Sequence, residues 1–166
     1  ELKADKRIVG GWHHVVAMIT ADLEMRIYVD GQRLATGFSQ GLVSHDPAQA
    51  LEVGADASTA VGNYDSPNNF TGIIDEVRVY FKSFDDAAVA KRFTDGAELS
   101  DEAVLAVSFD DGSARDHSLS RNNGTVEGGE PVEGKVGKAL KFTASASAST
   151  STKAAGSKKG KAKAAN

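Results

Sequence analysis

At 166 residues the chain is long enough for one domain with a core and a tight fit for two. It has no cysteine, which excludes disulfides and thiolate metal sites, no apolar run of the roughly 18 to 20 residues that a membrane-spanning helix needs, and no signal-peptide pattern at Glu1-Leu2-Lys3-Ala4-Asp5. The net charge of −4 is unevenly spread, because residues 153–166 hold five lysines and no acid, leaving a body of 14 basic against 23 acidic residues.

Trp12 to Thr20 (WHHVVAMIT) is β-branched and aromatic, and Met25 to Val29 (MRIYV) alternates, so both are predicted strands. Asp30-Gly31 after MRIYV is the pair that supplies positive φ in a type I′ hairpin leading into Gln32 to Ala35. Residues 36–50 are turn-rich, Leu51 to Gly54 is a short predicted strand, and Ala55 to Asn69 is a polar surface loop. Phe70 to Phe81 (FTGIIDEVRVYF) reads as one strand with Asp75, Val77, Val79 and Phe81 on the core face. Ser83 is a candidate cap for a short helix near 85–93, which Asp95-Gly96 stops. Val104 to Phe109 is a further strand, 112–137 a Gly-rich stretch of turns, and Lys138 to Phe142 (KALKF) a final strand. From Thr143 the chain has no aromatic or large aliphatic residue and reads as an Ala/Ser/Lys-rich linker or disordered tail over 143–166.

Two sets of motifs resemble one family, the LamG-like jelly rolls of the concanavalin A-like lectin/glucanase superfamily. GWHHV at Gly11 to Val15, RIYVDG at Arg26 to Gly31 and GIIDEVRVY at Gly72 to Tyr80 are similar to the second half of such a domain. FDDGSARDHS at Phe109 to Ser118, RNNGTV at Arg121 to Val126 and EGKVGKALKF at Glu133 to Phe142 resemble its opening. The resemblance implies an all-β, antiparallel jelly-roll β-sandwich, incomplete or permuted, with one short helix. Residues 1–96 correspond to the C-terminal part of a module and 97–142 to an opening segment, either of the same sandwich by permutation or of a second one. The family's middle strands do not follow KALKF.

Acidic residues offer the strongest chemistry. Asp110, Asp111, Gly112 and Asp116 surround one turn, and Ca²⁺ takes six to eight oxygens from carboxylates, carbonyls and water. The resemblance implies a structural Ca²⁺ joining the first strand to the last, with Asp75 as the matching last-strand carboxylate. The competing reading is that Asp110 and Asp111 shape a turn, Asp116 makes an Asx-type bond and Asp75 accepts from the backbone. His13 and His14 are neighbours on a strand, so they point to opposite faces and cannot share one ion; packing and edge hydrogen bonds explain them. Asp75 and Glu76 are adjacent and cannot form a glycosidase pair, and no Glu-x-Asp-x-x-Glu run or Gly-x-Ser-x-Gly elbow occurs.

Loop residues Asn63, Tyr64, Asp65, Asn68 and Asn69 carry the aromatic and amide groups suited to sugar hydroxyls, against the plainer reading of a solvated loop. Asn69-Phe70-Thr71 and Asn123-Gly124-Thr125 match the glycosylation acceptor pattern. The lysine tail lacks interleaved aromatics, so an interdomain linker is favoured over specific nucleic-acid binding. The expected function is a non-catalytic binding module of a multi-module protein, its ligand a carbohydrate or a protein surface. Its other contacts would be modules of the parent chain or a neighbouring subunit. By resemblance it would be secreted, periplasmic or at the cell surface. The alternatives are a purely structural jelly roll within an enzyme or assembly and, further off, a fragment of a glycoside hydrolase.

Overall fold

The computed structural model describes residues 2–5, 7–42, 51–54, 69–96 and 102–143. Their order is β1 (Val15–Ile19), β2 (Glu24–Val29), β3 (Gln32–Phe38), β4 (Gly72–Ile74), β5 (Val77–Tyr80), α1 (Asp86–Asp95), β6 (Ala103–Val107), β7 (Glu130–Glu133) and β8 (Lys138–Phe142). All pairings are antiparallel and fall into three sheets, ordered β1-β2-β3, β4-β8-β7 and β5-β6. The predicted all-β class is the observed one, with one short helix among the described residues.

The β2–β3 hairpin turns where expected. Asp30 and Gly31 sit at φ 51° and 78°, the left-handed pair of a type I′ turn. A Cβ on Gly31 would lie 3.2 Å from the Ala90 Cα, so the residue also lets α1 come down on the turn. The helix is capped by Asp85, not Ser83: the Asp85 carboxylate accepts from the Ala88 N–H at 2.7 Å. Asp86 then ties α1 to the sheet, accepting from the Tyr28 hydroxyl at 2.7 Å and from Arg33 at 2.9 Å. Tyr28 and Val89 are fully buried beneath this contact.

Phe70 to Phe81 is two strands, not one. Glu76 adopts φ 53°, a left-handed conformation that interrupts the alternation between β4 and β5. β4 pairs with β8, in the register Gly72↔Phe142 to Ile74↔Leu140, whereas β5 pairs with β6 from Val77↔Val107 to Tyr80↔Ala103. The predicted core face is therefore wrong at its far end. Ile74 packs on the core from the set assigned to the other face, while Phe81 is 90% exposed. Leu51 to Gly54 forms no strand, and the Gly-rich stretch hides β7.

The buried cluster of Val107, Phe109, Ala114, Leu140 and Phe142 receives Ile74, Val77, Leu105 and Val126 at its margin. Both family-like segments thus contribute to one core. At roughly 1.5–3 kcal/mol for each fully buried large apolar side chain, Phe109, Leu140 and Phe142 are its principal anchors.

Candidate functional site

The segments meet at a grip formed by two carboxylates. Asp75, at the break between β4 and β5, accepts through Oδ2 from the N–H groups of Lys135 and Val136, at 2.8 and 3.0 Å. Asp110, just past β6, accepts through Oδ1 from the N–H of Lys138 at 2.9 Å. Both hold the tight turn between β7 and β8, which is closed by the Gly134 N–H on the Gly137 carbonyl at 2.9 Å. The turn's glycines are needed for this approach: a Cβ on Gly134 would sit 2.7 Å from Asp75 Oδ2, and one on Gly137 would collide with Asp110 Oδ1. The Lys138 amide and the Ser108 hydroxyl hold the Asp110 carboxyl below the usual carboxylate range.

Asp111 accepts from the N–H and hydroxyl of Ser113, and these bonds lower its pKa. Gly112, at φ 74°, donates its N–H to the Phe109 carbonyl. Asp116 is fully buried. Its Oδ1 accepts from the N–H groups of Ala106 and Ser118, at 2.9 and 2.8 Å, and its Oδ2 from the Ser118 hydroxyl and the Asn122 N–H, at 2.8 and 2.7 Å. Burial pushes the Asp116 carboxyl up, but these donors outweigh it and the net direction is downward. The carboxylates expected to bind calcium are thus spread over separate backbone tasks. Among the described residues no three His, Asp or Glu side chains converge on a metal position. Asp75 Oδ1 is buried and has no hydrogen-bond partner among the described residues, so one carboxylate oxygen at this junction has no backbone task.

Of the loop residues expected to bind ligand, Asn63, Tyr64, Asp65 and Asn68 lie outside the described residues. Asn69 is half-buried, and its Oδ1 is shielded without a hydrogen-bond partner among the described residues. The residues on either side of 55–68 are tied together: the Phe70 N–H donates to the Gly54 carbonyl at 2.8 Å.

Sequence reasoning missed the second role of Asp30. One of its oxygens accepts from His13 Nδ1 at 2.8 Å and the other from the His14 N–H at 3.0 Å, while His13 Nε2 meets the Gly10 carbonyl at 2.8 Å. The Asp30 bond and then the Gly10 carbonyl raise the His13 pKa; burial lowers that of His14. The two histidines do face different surroundings, His14 stacking on Phe93 with ring centroids 6.2 Å apart. The Arg92 guanidinium over the Phe84 ring, 3.8 Å from its centroid, was also missed, since nothing local in the sequence announces it.

The antiparallel sheets and the short helix of the described residues are those of an all-β, jelly-roll type of domain. The chain belongs to the laminin G family of the concanavalin A-like lectin/glucanases superfamily, whose family model matches residues 3–90, more than half of the chain. Domains of this family are generally non-catalytic binding modules. The match takes in β1 to β5 and part of α1 and ends before β6. Neither the curated proteins nor the solved structures yielded a match to the chain. Among the described residues no helix is long and apolar enough to cross a membrane.

Proposed function

We propose that the chain is a non-catalytic binding module in which residues 1–96 and 97–142 complete one sandwich in reversed order, and loop 55–69 recognises a carbohydrate. The observation that carries this reading is the tied neck. The flanks of 55–69 are fastened at Gly54 and Phe70, beside strands held by Asp75 and Asp110, and binding residues concentrate on segments carried by such a fixed scaffold. Asn63, Asp65, Asn68 and Asn69 offer amide and carboxylate groups to sugar hydroxyls, and Tyr64 offers a ring face. Asn69 Oδ1, shielded and unpartnered among the described residues, is an acceptor left over for a ligand. The family's usual extracellular setting supports a secreted, periplasmic or surface location, with residues 143–166 as a linker to other modules.

A glycan array probed with the full chain and with Tyr64→Ala/Asn69→Ala tests this. One glycan class should be bound, and the double variant should bind it about tenfold or more weakly at unchanged melting temperature, a loss of roughly 1.4 kcal/mol or more. Binding to no glycan sinks the carbohydrate reading in favour of a protein surface, and undiminished binding by the variant moves the site off the loop. A scaffolding role is the second reading, favoured by the exposed apolar residues of β1, Val15 and Ile19.

A further inference from the structure

The β1-β2-β3 sheet ends on β1, and the direction of the free backbone groups there follows from the ladder. The Asp30 N–H bonds to the His14 carbonyl and the Thr20 N–H to the Glu24 carbonyl, so the even-numbered residues of β1 face β2. In an antiparallel pair bonding alternates residue by residue. The N–H and C=O groups of Val15, Ala17 and Ile19 therefore point outward, and no described residue bonds to them.

Other edges of the fold are guarded in the ways that stop strands from pairing with strangers. The outer side of β6 is occupied by Asp116, by the His117 N–H on the Ala106 carbonyl and by Asn122 Nδ2 on the Val104 carbonyl. β7 carries Pro131 between Glu130 and Val132-Glu133, and β4 and β5 are three and four residues long. β3 lies beside α1 and carries Arg33. Among the described residues β1 has none of these devices. It is VVAMI, without charge, glycine or proline, and its side chains at Val15, Ala17 and Ile19 are exposed.

We infer that β1 is a strand-pairing edge whose partner is β1 of a second copy of this chain, the two joining antiparallel about Ala17 into one continuous six-stranded sheet. The sequence of the edge is self-complementary in that register. Ala17 faces Ala17 of the copy, Val15 faces Ile19, and His14 faces Thr20, so no like charges meet across the two-fold axis. Each outward N–H then finds an outward C=O. The exposed apolar residues of both β1 strands become one surface across the seam. The inference does not depend on the ligand: association and glycan binding are separate measurements.

So short a seam lies at the small end of specific interfaces, where weak association is the rule, and the range to search is on the order of micromolar to millimolar. Sedimentation of the full chain across that range should show a monomer–dimer equilibrium. Ala17→Lys and Ala17→Glu place like charges at the axis and should each remain monomeric, whereas mixing them should restore the dimer. Amide hydrogen exchange supplies a readout without a substitution: Val15, Ala17 and Ile19 should exchange quickly in dilute protein and be protected at high concentration, while Val16 and Met18 stay protected throughout. A wild-type chain monomeric at high concentration overturns the inference. So does a dimer in which those three amides remain fast, since it would be built on another surface.

Discussion

Asp116 does the work of an absent neighbouring strand. Its carboxylate takes the Ala106 N–H that would otherwise be an orphan on the outer edge of β6, and it holds the returning loop through Ser118 and Asn122. Replacing it with alanine leaves those buried donors without acceptors, and Asp116→Ala should cost about 3 kcal/mol or more, read as a lowered urea midpoint at neutral pH. The sign of the pH dependence follows from the downward shift. A carboxyl whose folded pKa lies below its ordinary 3.8 contributes fully above that value and loses its contribution as pH falls through the folded pKa. The gap between wild type and variant should therefore narrow in strong acid. A variant as stable as wild type at pH 7 would remove Asp116 from this role. In the sequence Asp116 is visible only as one more acid near a turn, because its partner Ala106 is brought to it by the path of a loop and not by spacing.

At the scale of elements, the turn between β7 and β8 is held from outside by Asp75 and Asp110. Backbone amides take Asp75 Oδ2 and Asp110 Oδ1, while Asp75 Oδ1 is buried without a hydrogen-bond partner among the described residues. Because no three His, Asp or Glu side chains among the described residues converge on one position, chelator and added Ca²⁺ are each expected to leave the melting temperature unchanged, an ion that binds the native state being one that raises it. A calcium-dependent rise would show that these carboxylates exchange amides for metal. The elements differ in how plainly the sequence announces them. Asp30-Gly31 marks the hairpin and KALKF marks β8, because turn chemistry and alternation are local properties. β7 is hidden, since EPVE offers a proline and two acids and becomes a strand only through its pairing with β8. The division of β4 from β5 is hidden too: left-handed backbone at Glu76 is unusual for that residue type and is imposed by the two different partners on either side.

For the whole molecule, the reversed segment order we propose has an energetic meaning. The family-matched region contains β4 and β5, yet their partners β8 and β6 lie beyond it. A fragment of residues 1–96 would expose the strand edges and apolar faces that the later segment covers. It should show no cooperative unfolding transition alone and regain one when a peptide of residues 97–142 is added in equimolar amount. Cooperative unfolding of 1–96 by itself would separate the two segments into independent units. The motifs of the family-matched region, GWHHV, RIYVDG and GIIDEVRVY, are legible in the sequence. The interlock is not, because each motif is satisfied locally whichever chain supplies its neighbour.

The register of β4 against β8 also sets how the module answers to tension. Gly72 is the first residue of β4, Phe142 is the last of β8, and the two are direct partners. A pull arriving along the chain before Gly72 and leaving after Phe142 loads that pair alone, then Ile73 with Lys141, then Ile74 with Leu140. The bonds are peeled in succession instead of sharing the load. Drawn out in this way, the junction would yield like a zipper, at low force and from the Gly72–Phe142 pair inward.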